Sequence, residues 1–216
     1  LVADLGLLGI PWDESLGGAG LDTTAFMIVI EEMARIDASH AIVISAHTTL
    51  GTSPIVNFGT EDQKVHYLNQ IARGEIRWCQ GYSEPGSGSD LVSLQTFGED
   101  KGDHWLVNGQ KVWTSYADKA DWIFCLVRTS TDKKHEGISF LLFDMTTPGV
   151  EPKPIRLISG ASPFCETFLT DVRVPRRNVV GRVNAGWTMA KALLGHERTM
   201  IAGMGTERTQ GDSLVD

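Results

Sequence analysis

The pattern of apolar and polar positions divides the chain into three stretches. Residues 1–75 carry apolar side chains at the three- and four-residue spacing of amphipathic helices. Between residues 76 and 181, short apolar runs alternate with turn residues such as Asn108-Gly109, a pattern typical of antiparallel strands. Helical spacing returns from Trp187 onwards. The pattern therefore predicts helices, then strands, then the beginning of further helices.

Local signals set the expected ends of the helices. Asp22 or Thr23 can cap the first helix at its N-terminus, and Thr60 can cap the third. Residues 38–50, the second helix, are almost all apolar or small, which indicates burial on every side. We expect the last helix to end near residue 204.

Five apolar runs are the expected strands, and no helix pattern interrupts them. They are residues 105–107, 111–113, 122–128, 138–144 and 166–174. Consecutive strands of this kind favour an antiparallel sheet, a sandwich or a barrel, within an α+β chain. We expect a helical domain over residues 1–75, a β domain over 76–181, and over 182–216 the first helix of another helical domain. That last segment is too short to form a domain alone, so we expect it to continue in a longer protein.

Composition narrows the function classes. The 216 residues carry a net charge of −8 without a clustered basic face, which argues against nucleic-acid binding. No apolar run reaches the ~18 residues of a membrane-spanning helix. The three cysteines, Cys79, Cys125 and Cys165, match no zinc or redox spacing. Reduced thiols are the simple interpretation, as in a bacterial cytoplasm or the mitochondrial matrix. His40 and His47 share a helix face without a third ligand, so no metal site is expected.

A glycine- and serine-rich segment, QGYSEPGSGSD at residues 80–90, follows an expected strand. Gly86 and Gly88 allow close approach of a ligand, and successive backbone N–H groups in such a turn can bind an anion. The segment is not a P-loop or a dinucleotide fingerprint, because the lysine and the helix-opening glycines are missing. These residues predict a phosphate or pyrophosphate cradle, with a plain surface turn as the alternative.

Residues 83–90, SEPGSGSD, resemble the signature of the acyl-CoA dehydrogenase family. Residues 108–115, NGQKVWTS, resemble the second motif of that family, at a matching separation. Residues 167–180 and the early loop at 5–20 are also similar to family segments, as are Gly186 and Glu197-Arg198 on the last helix. The resemblance implies a helical N-terminal domain, an antiparallel β-barrel-like middle domain and the first helix of a C-terminal helical bundle.

The resemblance also implies an FAD site. Trp113 would pack against the isoalloxazine ring, Ser115 would hydrogen-bond near N5, and Ser89 would lie near both the pyrophosphate and the acyl-CoA. Tyr82 departs from the small aliphatic residue usual at its position, which puts the shape of the pocket in question. An ordinary core aromatic is the alternative for Trp113. The FAD contacts implied are Gln80, Tyr82, Ser83, Gly88, Ser89, Trp113, Thr114 and Ser115.

The catalytic base is the least defined residue. In some branches of the family a glutamate directly before an arginine on this helix removes the Cα proton, and Glu197-Arg198 matches that placement. Nearby apolar side chains would raise the pKa of Glu197. The alternatives are a solvated charge or a local pair with Arg198 or Lys191. Arg198 is the candidate contact to the CoA moiety, whereas His196 is expected to be structural or solvated.

The resemblance implies dehydrogenation of an acyl-CoA to the trans-2-enoyl-CoA, with hydride transfer to flavin N5. Implied partners are the acyl-CoA, an electron-transfer flavoprotein or similar acceptor, and further subunits in a homo- or hetero-oligomer. Two alternatives stay open. One is an acyl-CoA oxidase or flavin monooxygenase-like relative, and the other is a non-catalytic subunit of a heteromeric dehydrogenase.

Overall fold

The computed structural model describes the backbone of residues 2–204 and the side chains of residues 2–195. Within that part of the chain, helices lie at both ends of the sequence and strands lie between them. The helices are α1 (Thr23–Ile36), α2 (Ala38–Ala46), α3 (Ser53–Phe58), α4 (Glu61–Ala72) and α5 (Gly186–Met204). A wider helical turn, His47–Gly51, continues α2.

The helix starts follow the capping signals. The Asp22 carboxylate accepts a hydrogen bond from the Ala25 N–H at 2.8 Å. Thr60 and Gln63 form a reciprocal capping box at the start of α4. The short helix α3 was not expected, because its six residues are too few to show helical spacing.

The strands form a single eight-stranded sheet. They are β1 (Trp78–Gly81), β2 (Phe97–Asp100), β3 (His104–Ser115), β4 (Trp122–Arg128), β5 (Ile138–Asp144), β6 (Val150–Ile155), β7 (Phe164–Pro175) and β8 (Val179–Val180). The order is β6-β7-β3-β2-β4-β5-β8, with β1 beside β4. Most neighbours are antiparallel, but β4 pairs with β1 and β2 in parallel. Helices at both ends of the chain and a sheet between them agree with the expected α+β organisation.

The prediction of a tight turn at Asn108-Gly109 is wrong. Both residues lie inside β3, because β3 pairs with β7 on either side of them. The Asn108 side chain is hydrogen-bonded to Asp171 of β7. Its amide oxygen accepts from the Asp171 N–H at 2.8 Å, and its amide nitrogen donates to the Asp171 carboxylate. The two runs expected as separate strands are therefore one strand.

Helices and sheet share one hydrophobic core. Ile55 of α3, Leu68 of α4 and Leu193 of α5 belong to the same buried cluster as Phe124 of β4 and Phe140 of β5. Burying each of these large side chains contributes roughly 1.5–3 kcal/mol. The β segment is thus fixed against three helices on one face. None of the helices described here is long and apolar enough to cross a membrane.

The three cysteines belong to a second cluster, inside the β segment. Cys79 lies in β1, Cys125 in β4 and Cys165 in β7, and all three are buried free thiols. Burial raises the pKa of each thiol, that of Cys125 to about 11.

Candidate functional site

The glycine-serine segment leaves β1 and folds into a tight turn. Glu84 and Ser87 exchange two backbone hydrogen bonds, at 2.9 and 3.0 Å. The Ser87 hydroxyl donates to the Asp90 carbonyl at 2.9 Å, which closes the second half of the turn. Gly88 and Ser89 are exposed beside it. Ser87 therefore holds the turn together, while the backbone of the next two residues and the Ser89 hydroxyl are left accessible.

The glycines of this turn are not required by the packing of the described residues. A Cβ at Gly86 or Gly88 would meet no atom within 4 Å, and neither residue has a positive φ. Gly81, just before the turn, differs, because a Cβ there would lie 2.8 Å from the Ile123 side chain. The space in front of the turn is open, as close approach of a ligand requires.

A buried ion pair lies behind the turn. The Lys111 ammonium, fully buried, donates to the Glu84 carboxylate at 2.8 Å and to the Tyr82 carbonyl oxygen at 3.2 Å. The same carboxylate accepts the backbone N–H groups of Gln95 and Thr96, at 2.6 and 2.9 Å. Burial alone would raise the pKa of Glu84, but the Lys111 charge and these hydrogen bonds hold it below its ordinary value. The carboxylate therefore stays ionised inside the protein.

The end of β3 carries a β-bulge. Three steps along β3, from Lys111 to Thr114, match only two steps along β7, from Thr167 to Cys165. Trp113 lies in the bulge with φ at 61°, a conformation that costs a bulky residue strain. An extra residue reverses which face the following side chains occupy. The bulge therefore places Trp113 outside, 56% exposed, and Thr114 inside.

The bulge lies next to the residues that leave β1. The Val112 N–H donates to the Ser83 carbonyl oxygen at 2.9 Å, so the two motifs are in direct contact. Ser115 is exposed on the same side of the bulge as Trp113, and Gln80 is half-buried in β1. The Thr114 hydroxyl is buried and has no hydrogen-bond partner among the described residues. The structure thus places Ser83 of the first motif against Val112 of the second.

Two features of this region could not be predicted from the sequence patterns. One is the Lys111–Glu84 pair, whose only sequence signal is a charged residue at an inward position of an expected strand. The other is an open cavity of about 520 Å³ beside the turn. It is lined by residues 84–87, 93, 95–96 and 109–110. The cavity includes residues 84–87 of the predicted cradle, but neither Trp113 nor Ser115 borders it, so it covers one side of the cradle and does not extend to the bulge.

The residues expected on the substrate side lie on α5, and the structure describes them only in part. Glu197, Arg198 and His196 belong to the backbone of α5, but their side chains lie outside the described residues. Gly186, at the start of α5, is packed so closely that a Cβ would lie 2.6 Å from the backbone of Ser139. The start of α5 is therefore fixed on β5, while the assignments of Glu197 and Arg198 stay predictions.

The two histidines of α2 and its continuation have local roles. His40 contacts the Asp37 carboxylate at 2.6 Å, and burial lowers the pKa of His47. Across the part of the chain with described side chains, no group of three His, Cys, Asp or Glu residues is placed to hold a metal ion.

Two family models match this chain. The family model described as acyl-CoA dehydrogenase, N-terminal domain, matches residues 1–75, and the model of the middle domain matches residues 79–172. The chain is 42% identical over 198 residues to acyl-CoA dehydrogenase IpdE1 of Mycobacterium tuberculosis, covering 91% of this chain and 51% of that protein.

Solved structures are similar as well. The acyl-CoA dehydrogenase of Geobacillus kaustophilus matches with a TM-score of 0.86 and 30% identity, over 93% of this chain and 54% of that one. A chain of the ChsE4–ChsE5 complex of Mycobacterium tuberculosis matches with a TM-score of 0.76 and 36% identity, over 90% and 51%. The chain spans about half the length of these relatives.

Proposed function

The chain belongs to the acyl-CoA dehydrogenase family, and from that premise we propose that it forms the flavin-binding part of an FAD-dependent acyl-CoA dehydrogenase. The observation that supports this most directly is the outward indole of Trp113 on a bulge that contacts the turn after β1. A strained, exposed tryptophan beside an open glycine turn suits a planar aromatic ring carrying a diphosphate. When bound, FAD supplies the hydride acceptor for the reaction.

The residues of the site fit this group by chemistry and by exposure. Trp113 offers an apolar face that excludes water from one side of a ring. Ser83 and Ser115 offer hydroxyl donors, and the backbone at Tyr82 adds polar groups next to them. In this proposal these donors stabilise the negative charge that develops on the ring. Gly88 and Ser89 would hold the diphosphate, with Gln80 and Thr114 as neighbouring contacts.

The substrate side completes the proposal. Ser89 and Arg198 would bind the CoA portion of an acyl-CoA, and Glu197 would take the Cα proton. Residues 1–75, 76–181 and 182–216 would be the N-terminal, middle and C-terminal domain portions. Electrons would pass to an electron-transfer flavoprotein or a similar acceptor. The full enzyme would be a homo- or hetero-oligomer.

A second function is favoured by one of the structural matches. The ChsE4–ChsE5 structure is described as a complex of two differently named proteins. By analogy, this chain would be a subunit of a heteromeric dehydrogenase that binds FAD or CoA without carrying the base.

Titration of the purified chain with FAD tests the first proposal. We expect bound flavin to remain with the protein through gel filtration, and anaerobic addition of a panel of acyl-CoAs to bleach its visible absorbance. Glu197→Gln should keep the flavin and lose the bleaching. A parent chain that binds no FAD contradicts the proposal. Bound FAD that no acyl-CoA bleaches favours the heteromeric subunit, and bleaching retained in Glu197→Gln removes Glu197 as the base.

A further inference from the structure

The proposed function gives no role to the buried ion pair of Lys111 and Glu84. Both side chains are almost completely inaccessible, at 0% and 6% exposure. Replacing a buried ion pair by apolar groups is often neutral or stabilising, so stability alone does not account for such a pair. Its position offers another explanation, because it lies directly behind the residues that would contact the flavin ring.

The pair acts on one peptide unit in particular. Lys111 donates to the carbonyl oxygen of Tyr82, which belongs to the Tyr82–Ser83 peptide unit. The neighbouring Val112 N–H donates to the carbonyl oxygen of Ser83, in the next unit. A trans peptide unit is planar, with its C=O and N–H on opposite sides. Fixing the Tyr82 carbonyl toward Lys111 therefore turns the Ser83 N–H the other way. That N–H has no backbone acceptor among the residues that the structure describes.

Glu84 fixes the ammonium from the other side. Its carboxylate binds Lys111 together with the N–H groups of Gln95 and Thr96, so it is anchored to the segment before β2. An ammonium held by a carboxylate with three donors has little freedom to turn away from the Tyr82 carbonyl. Charge-assisted hydrogen bonds of this type are also stronger than neutral ones.

We propose that Lys111, held by Glu84, is a positioning residue that fixes the Tyr82–Ser83 peptide so that the Ser83 N–H faces the flavin. This inference rests on the proposed function, since it assigns a donor to the same site. Lys111 itself touches no ligand. It acts through the backbone, and its loss changes flavin binding separately from its effect on stability.

Three variants separate positioning from stability. Lys111→Met leaves a buried carboxylate without its partner, so we expect it to be the least stable. The double variant Lys111→Met with Glu84→Gln removes both charges, while the single amide oxygen introduced at position 84 can still accept from one of the two N–H groups, those of Gln95 and Thr96, that bind different oxygens of Glu84. We expect it to recover most of the lost stability. The control changes an exposed pair, Lys101→Met with Glu99→Gln, whose ammonium and carboxylate lie 2.6 Å apart.

Two measurements are made on the full 216-residue chain. Hydrogen exchange without FAD follows the Val112 amide, which is bonded to the Ser83 carbonyl of the adjoining peptide unit. Its protection should fall roughly tenfold or more in the double variant, because the charge-assisted bond from Lys111 to the Tyr82 carbonyl no longer holds that segment in place. FAD titration should show affinity weaker by roughly tenfold on the same basis. The control should match the parent in both.

The outcomes are distinguishable. Recovered stability with weakened Val112 protection and weakened FAD affinity supports the proposal. Unchanged Val112 protection, or FAD affinity that recovers together with stability, overturns it. A parent chain that binds no FAD instead overturns the proposed function, and Val112 exchange then decides alone whether the pair fixes the peptide.

Discussion

The two ends of β3 differ in which side chains they bury: apolar ones at the start of the strand, polar ones at its end. In the first part, Trp105 and Val107 point into the core and are 2% and 0% exposed. In the last part, Lys111 and Thr114 are fully buried while Trp113 is 56% exposed. The first part follows the ordinary rule for a strand with one buried face. The second part reverses it, within a single continuous strand.

The difference has two separate causes. Lys111 lies on the same face as Trp105 and Val107, and its burial is made possible by the Glu84 carboxylate across the turn. Trp113 would also lie on that face, but the extra residue of the bulge moves it to the other side. A strand that buries charge and exposes indole contributes less to folding than it could, which is typical of a binding site.

Replacing each tryptophan by alanine should break this contrast most clearly. Trp105→Ala removes a buried indole, and we expect it to lower the free energy of unfolding by ~3–5 kcal/mol. Trp113→Ala removes an exposed one and should change the same quantity by only ~0.5 kcal/mol, while weakening FAD binding. Urea unfolding of both variants measures the difference. Equal losses would show that Trp113 is a core residue after all.

Glycine substitutions sharpen the contrast at the junction of the two parts. Gly109 lies there with φ at 153°, and a Cβ would come within 2.5 Å of the Thr96 hydroxyl. We expect Gly109→Ala to cost ~1–3 kcal/mol through overpacking. Gly88→Ala, the matched change in the open turn, should cost no more than ~0.5 kcal/mol and should act on FAD affinity instead. Thermal unfolding with and without FAD separates the two, and a large stability loss in Gly88→Ala would contradict the open turn.

The smallest expected effect is that of the Glu84 carboxylate on the pH dependence of Tm at acidic pH. The pKa of Glu84 is lowered from 4.5 in the folded chain, so ionised Glu84 stabilises the fold above about pH 4.5. That stabilisation is lost as pH falls through the lower folded-state pKa. Glu84→Gln should therefore flatten the fall of Tm as the pH drops below about 4.5, measured relative to the exposed control Glu99→Gln. Identical acid limbs for the two variants would contradict the assignment.

Much of this molecule follows from its sequence. Helical spacing and the caps at Asp22 and Thr60 predict α1 and α4 because those signals are local. The second helix forms as well, but the expectation that it is buried on every side is wrong, since Ile42 and Val43 are exposed. The two motifs at 83–90 and 108–115, through their resemblance to a family, imply that their residues share one site. The hydrogen bond between Val112 and Ser83 confirms that they adjoin.

Other features depend on contacts that no local pattern shows. Strict alternation places Trp113 with Trp105, and only the ladder to β7 reveals the additional residue. Asn108-Gly109 has the composition of a hairpin turn, yet pairing with β7 on both sides outweighs that local preference. The burial of Lys111 depends on a carboxylate 27 positions away in sequence. The role of Glu197 remains a prediction, since its side chain lies outside the described residues.

The three buried thiols can report local opening of the sheet through their reaction with an alkylating reagent. Cys79, Cys125 and Cys165 lie in three different strands, closed off from solvent and with a raised pKa, so an alkylating reagent meets little reactive thiolate in the folded protein. Each modified cysteine therefore records an opening event of the strand that carries it. Mass spectrometry of the alkylated protein can measure the rate of modification at each cysteine. These rates report the opening of β1, β4 and β7 separately, without an introduced probe.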